Sequence, residues 1–415
     1  MTFFDVQILR IYRKTEIICL RIWHSSCYSR ICVFWMEVNM NRKSLTFAVL
    51  IVLSVSCRPS KQEKNVQSNL TEQDLTTVDL SDEDVFDAQL PDGNLNRIEF
   101  TWKDSGKIID GKGKSFNNGK KTMITFTSIQ KDGVWKYPEN IVFKNWKING
   151  ALRVLGVGPS SDTGIVKTSS QSLGHTKRMR EAAPRNIVLE NLSIVTDEKI
   201  PVVFGPGVHK TVFRNSMIAG QSRSVAMYID AESGDNIIEN NIFNMTASRE
   251  VIALDGSARN LLRHNLFLKM EKGGVHIYRN SGERGVVRHQ EPRQNRIIEN
   301  YFNVIGIRSG RAVFLGSRNG TNPNYRHDDA QFNFGSGASN RDYAQENAVL
   351  RNIVSGDKGT FDRFFIKDTE GNNDIQGNKR SAETLKIGKI VEKFGSELVM
   401  PELSKIIDEI RVKSN

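Results

Sequence analysis

Asp230, Glu232, Asp255 and Arg279 are the side chains whose types and spacing could do chemistry in this chain. Asp230, Asp255 and Arg279 close three similar apolar segments, "VAMYID" (225–230), "EVIALD" (250–255) and "GVHIYR" (274–279), with "IPVVFG" (200–205) before them and "RAVFLG" (311–316) after, and Glu232 lies two residues beyond the first. If these segments stack as neighbouring strands, their last residues Gly205, Asp230, Asp255, Arg279 and Gly316 form a column. Adjacent members then lie about 5 Å apart, one strand spacing. Carboxylates that close repel, so at least one must be protonated, paired with a cation or bound to a metal. Strand alternation adds Tyr228 and Glu232 to the same face and gives the opposite parity, Phe204, Ile229, Leu254, Tyr278 and Leu315, to an interior. His276 shares that interior parity and reads as a buried, hydrogen-bonded histidine.

A repeat must hold such a column together. "NIVFKNWKI" (140–148), "NIVLENLSI" (186–194), "KTVFRNSMI" (210–218), "DNIIENNIF" (235–243), "RNLLRHNLF" (259–267), "NRIIENYFN" (295–303) and "NAVLRNIVS" (347–355) are variants of one unit. The corner position reads Asn145, Asn191, Asn215, Asn240, His264, Asn300 and Asn352, with a period of about 24 residues interrupted by insertions. Self-similarity at this period signals a solenoid. Runs this short, rich in Ile and Val and bounded by Asn and Gly, are strands. The expectation is an all-β protein, a parallel β-helix over 91–360 with a single strand per face in each coil. Stacked corner asparagines would form a hydrogen-bonded ladder, and Asn tolerates the left-handed backbone of a sharp bend. Residues 361–415 carry helical periodicity in "ETLKIGKIVEKFGSELVMPELSKIIDEI", with Pro401 expected in the first turn of the second helix.

"IIDGKGK", "NIVFKNWKING" and "NIVLENLSIV" resemble the right-handed parallel β-helix superfamily of pectate lyases, alginate lyases and polygalacturonases, over roughly 95–356. That resemblance implies a carbohydrate-active protein, with three readings of the column. In a lyase, Asp230, Glu232 and Asp255 would hold Ca²⁺ against a substrate uronate, and Arg279 would neutralise the substrate carboxylate or take its proton. Free arginine hardly deprotonates, so a Tyr or His could be the base. In a glycoside hydrolase, Asp230 and Asp255 would be general acid and base, although the paired "DD" of polygalacturonases is missing. In the third reading the column is a surface salt bridge, and the protein is a non-catalytic glycan binder. Two insertions suit groove walls for an anionic polysaccharide. One contributes His175 and Arg178, the other Glu283, Arg288 and His289; Arg249, beside the Glu250–Asp255 segment, joins them as a binding residue. "RHDD" at 326–329 matches no standard metal spacing.

The body is basic, with 38 Lys and Arg against 26 Asp and Glu over 91–360, which suits an acidic partner. Nucleic acid is disfavoured, because the basic residues are not interleaved with stacking aromatics and no recognition helix is visible. No protein partner is indicated. All four cysteines lie at or before Cys57, so the body has no disulfide or thiolate site. "MNRKSLTFAVLIVLSVSC" reads as an export signal over 40–57, resembling a bacterial lipoprotein signal with Cys57 as the lipidated residue. Residues 1–39 then read as a non-native extension and 58–90 as a disordered acidic tether. The expected location is the bacterial cell envelope or outside it, with membrane contact only through the N-terminal lipid.

Overall fold

The computed structural model describes the body from 96 to 413, apart from 159–163, 198–199, 281, 284, 317–331, 333, 337–340, 357–362, 383–384 and 386–387. Before residue 96 it describes only five strands. The chain divides into a unit of residues 1–69 and a unit of residues 70–415. In the first, Val6–Arg10, Ile17–His24, Cys27–Met40 and Lys43–Ser56 form an antiparallel sheet in chain order. Cys57, most of the expected tether and the whole of 326–329 lie outside the described residues.

The second unit is a parallel β-helix of three sheets. A coil contributes one short strand to each: Val212–Arg214 to sheet one, Met217–Ser222 to sheet two, Met227–Ile229 to sheet three. The next coil repeats this with Ile237–Glu239, Ile242–Ala247 and Ile252–Asp255, each paired in parallel with its predecessor. Sheet one runs through ten strands from Thr76–Val78 to Asp374–Gln376. Sheets two and three share one long strand, Lys147–Leu155, whose first half pairs into one and whose second half pairs into the other.

Inside, like residues stack on like. Phe204, Ile229, Leu254, Ile277 and Leu315 form one column through sheet three, all fully buried. Phe243, Phe267 and Phe302 form another, with ring centroids 4.9 and 4.5 Å apart and nearly parallel planes. These aromatic stacks add to the apolar area that makes burial favourable.

Both corners of sheet one carry a doublet: a residue in the left-handed region followed by a buried asparagine. At the corner before sheet one, Asp235, Arg259, Gln294, Glu346 and Asn372 have φ near 57–59°, and Asn236, Asn260, Asn295, Asn347 and Asn373 follow them in a ladder. At the corner after it, the left-handed positions are Asn145, Asn191, Asn215, Asn240, His264, Glu299 and Arg351. The ladder behind them is Asn241, Asn265, Asn300, Asn352 and Asn378, each Nδ2 donating to the next Oδ1 at 2.9–3.0 Å. Each Oδ1 also accepts the backbone N–H of the preceding ladder residue. Asn300 and Asn352 therefore belong one residue inward of the corner column expected for them.

Helices α1 (Gly164–Ser170) and α2 (His175–Glu181) form from the first insertion. Helices α3 (Gly388–Glu397) and α4 (Leu403–Lys413) lie along the outer side of sheet two. There Phe394, Leu403, Ile407 and Ile410 bury the outward column Met217, Ile242, Leu266, Tyr301 and Ile353. The C-terminal segment thus packs against a flank of the coil. Pro401 sits two residues ahead of α4, where its carbonyl accepts from Asn240 Nδ2 at 3.2 Å.

Candidate functional site

Sheet three confirms part of the column and corrects the rest. Ile229 pairs with Leu254, and Asp255 pairs with Tyr278. The column is therefore Gly205, Asp230, Asp255, Tyr278 and Gly316, with Tyr278 where Arg279 was expected. A one-residue slip exchanges faces, so Ile277 is the interior residue, while Tyr278 and His276 point outward with Tyr228 and Phe314. Arg279 leaves the column altogether. It is buried under the Tyr343 ring, donating to Arg288 O at 3.2 Å and Arg341 O at 3.0 Å. Burial lowers its pKa. In that position it braces a loop and does not face a substrate.

The carboxylates lie on the outer side of the coil, but the insertions cover them. Asp255 is fully buried and saturated with donors. Tyr228 OH donates to Oδ2 at 2.6 Å, Asn280 donates N–H to Oδ1 at 3.0 Å and Nδ2–H to Oδ2 at 2.5 Å, and the Arg288 guanidinium pairs with Oδ1. Burial alone would lower the Arg288 pKa; Asp255 and Tyr228 outweigh it and raise the value. Burial, then Asp230 and Asp255, push the Tyr228 phenol well above its ordinary value. Glu283 binds the other side of Arg288 at 3.2 Å.

Glu232, in the left-handed region with φ 64°, turns its carboxylate to the insertions. It accepts from Thr176 Oγ1, from His289 N–H at 2.8 Å and from Gln290 N–H at 3.1 Å. Asp230, also buried, accepts from Ala231 N–H at 2.7 Å. The three acids therefore do not converge. Among the described residues no group of three or more His, Cys, Asp or Glu side chains could hold a metal. A guanidinium and two amide donors on Asp255 are partners for an anion, and the set does not suit Ca²⁺.

The remaining expected residues mostly hold the cover in place. His175 is buried, its Nδ1 3.0 Å from Ser169 Oγ and its Nε2 4.0 Å from Glu232; burial pushes its pKa down to about 4. Arg178 closes the link between α1 and α2 through Ser169, Ser172 and Leu173. His289 Nε2 reaches Ser170 O at 2.7 Å, and Ser170 Oγ accepts Val287 N–H.

A polar cluster beside the start of the Ile252–Asp255 strand reaches the surface through Arg249. Arg249, with 39% of its side chain exposed, donates through Nη2 to Glu250 Oε1 and to Tyr278 OH, both at 3.0 Å. Tyr278 OH donates in turn to Glu250 Oε1 at 3.1 Å, and His276 Nδ1 lies 3.6 Å from Glu250 Oε2. The His276 ring rests over Gly273, where a Cβ would come within 2.6 Å of Nε2, so no larger residue fits there. Burial opposes the Arg249 charge, but Tyr278 and Glu250 outweigh it and raise the pKa. Sequence reasoning found Arg249 and missed Tyr278 and Glu250. The signal for Tyr278 was present in its alignment with Asp255, once a 23-residue step is allowed.

A three-sheet parallel β-helix with an insertion-covered acidic column and an Arg–Tyr–Glu cluster whose arginine alone reaches the surface is the class that this fold and site define. No protein-family model and no curated protein matches the sequence. Among solved structures, the chain is similar to XylC in complex with xylose at 11% identity and TM-score 0.30. That match covers 66% of this chain and 53% of XylC, so it spans about half the length of XylC. It is similar to the periplasmic alginate epimerase AlgG at 11% identity and TM-score 0.30, over 73% of this chain and 83% of that one. The enzymatically active domain of bacteriophage CBA120 tailspike protein 2 matches at 10% identity and TM-score 0.23, over 76% and 44%.

Proposed function

We propose that the outer face of sheet three binds an acidic polysaccharide and cleaves it by β-elimination. The observation that carries this reading is the Arg249–Tyr278–Glu250 cluster, in which a half-exposed guanidinium and a carboxylate share one phenol. Arg249 would pair with the substrate carboxylate, which makes the neighbouring C5 proton more acidic. Tyr278 oxygen would take that proton while passing its own to Glu250. The C5 electron pair then forms the C4=C5 double bond, and the C4–O bond breaks, with the leaving oxygen taking a proton from solvent. The hydrolase reading lacks support, because Asp255 is saturated with donors.

The test is a panel of uronate polysaccharides treated with the full chain and with Tyr278→Phe, followed by the ultraviolet absorbance of an unsaturated product. Absorbance that rises with the wild type and falls at least 100-fold in the variant supports the reading. Rising reducing ends without absorbance would sink it in favour of hydrolysis. The burial of Tyr278, 3% exposed, favours a second reading as a non-catalytic binder. In that case both proteins bind the glycan equally and neither turns it over. Export and lipid attachment at Cys57 belong to the same proposal, and labelling with a palmitate analogue, abolished in Cys57→Ala, tests them.

A further inference from the structure

A second polar cleft opens at the corner between sheet three and sheet one, away from the Arg249 cluster. It encloses about 500 Å³, and its walls include Lys177, Arg180, Arg185, His209, Arg259 and Gln290, with Glu181 the one acid among its lining residues. Coil stacking sets the spacing of the cations. Arg185, His209, Gly234 and Ala258 are bridged in series, which puts Arg185 and His209 one strand spacing of about 5 Å apart and Arg259, next to Ala258, about two spacings beyond His209.

Arg185 is paired with Glu139 at 2.9 Å, so the cations that present exposed side chains to the cleft are Arg259 and Lys177. Arg180 and Arg259 converge on a single carboxylate, Asp235, at 2.8 and 2.7 Å. Arg180 is otherwise spent on Glu232 O and Gln290 Oε1, both within 2.9 Å, so its position is fixed. Arg259 uses Nε and Nη2 on Asp235, and its side chain is 40% exposed. Lys177 is 78% exposed and only loosely paired with Glu181 at 3.6 Å. A ligand anion would bind at the solvent-reaching side chains of Arg259 and Lys177, and a cation-lined wall favours its entry.

We propose that this cleft is a binding subsite for an anionic group on a glycan, a uronate carboxylate or a sulfate ester, held by Arg259 and Lys177. That the anion belongs to a glycan rests on the reading given above; that the cleft takes an anion does not. A chain engaging both this corner and the Arg249 face would gain avidity from two contacts on one rigid body.

The experiment measures binding of polygalacturonate, chondroitin sulfate, neutral xylan and duplex DNA to the full chain carrying Tyr278→Phe, which prevents turnover. The same measurements follow with Lys177→Gln/Arg259→Gln added. The expected result is about tenfold weaker binding of one acidic glycan, since two contacts of roughly 0.7 kcal/mol each correspond to that factor, with xylan unchanged. Arg259→Lys should recover part of the loss. Which acidic glycan responds separates carboxylate from sulfate. Equal binding of both acidic glycans with and without the double substitution overturns the proposal, and so does DNA binding more tightly than either through the same residues. The exposed Lys177→Glu alone should weaken binding several-fold and does not endanger folding. No unsaturated product from the wild type, with this binding and its loss in the double variant intact, would sink only the elimination chemistry; turnover by the wild type with binding unchanged by the double substitution would sink only the subsite.

Discussion

Replacing Asn300 by alanine tests whether the inner asparagine ladder carries the solenoid. Asn300 is fully buried. Its Oδ1 accepts from Asn265 N–H at 3.0 Å and Asn265 Nδ2 at 2.9 Å, and its Nδ2 donates to Asn352 Oδ1 and Leu262 O, each at 3.0 Å. In the variant, Asn265 Nδ2 keeps Ile238 O at 2.9 Å, and Asn352 Oδ1 keeps the backbone N–H of residue 300 at 2.9 Å. The Asn265 N–H loses its acceptor. A buried amide left unsatisfied costs about 1–3 kcal/mol, and the space left by the missing amide group adds about 1 kcal/mol. The expected loss is therefore about 2–4 kcal/mol. With a urea m-value of roughly 3 kcal/mol/M, the unfolding midpoint falls by about 1 M. His264→Ala is the control, because it removes a single partly exposed contact with Glu299 and should cost below about 1 kcal/mol. Urea titrations of both variants, followed by tryptophan fluorescence, make the comparison. Equal midpoints would refute the ladder as a load-carrying element of the fold.

Three other outcomes are expected. Asp255→Asn leaves the buried Arg288 guanidinium with only the partly exposed Glu283, which should cost about 3 kcal/mol in a thermal or urea melt whatever it does to activity. Arg249→Gln should raise KM for an acidic polysaccharide by about tenfold or more, and because it strips a charged donor from buried Glu250 it should also lower stability by about 1–3 kcal/mol, as steady-state kinetics beside a melt would show. The His175 pKa is depressed to about 4 in the folded chain, against about 6.5 when unfolded. The unfolded chain therefore binds the proton first, and stability present above pH 6.5 is lost as pH falls from 6.5 to 4, by roughly 3 kcal/mol. Stability measured across that interval should flatten in His175→Gln, and an unchanged acid limb would remove His175 as its source.

The fold was legible because the corner chemistry repeats in the letters. "DNIIENN", "RNLLRHN" and "QNRIIEN" each place a left-handed residue and a buried Asn at both ends of a sheet-one strand. Both ladders could be read from those strings, though the inner one was merged with the corner position at Asn300 and Asn352. The site was harder, because sheet three is reached through a turn of variable length. Sheet two spends six residues on Ile242–Ala247 but two on Leu266–Phe267. The step from Asp230 to Asp255 is therefore 25 residues and the next step, to Tyr278, is 23. A constant period carried across that turn puts Arg279 in Tyr278's place. Nor could the sequence say that the insertions fold down over the acids, since that depends on contacts across 50 to 60 residues, such as Glu232 with His289 and Gln290.

Those contacts explain why acids sit on a solenoid wall at all. Coil stacking fixes a strand through its two neighbours, but an insertion such as 280–290 has no coil above or below to register it. Its position must come from elsewhere, and apolar packing alone would leave it free to slide. Asp255 and Glu232 supply directional anchors: one grips Arg288 and Asn280, the other takes the N–H groups of His289 and Gln290. Burying the ion pair costs desolvation that its attraction only partly offsets. What the pair contributes is a single placement of the loop, and with it the wall beside Tyr228 and Tyr278. Replacing Asp255 and Arg288 together by Leu and Met should then restore much of the stability lost in Asp255→Asn. It should still leave amide exchange in 280–290 faster than in the wild type, and equal exchange in the two proteins would show that packing alone registers the loop.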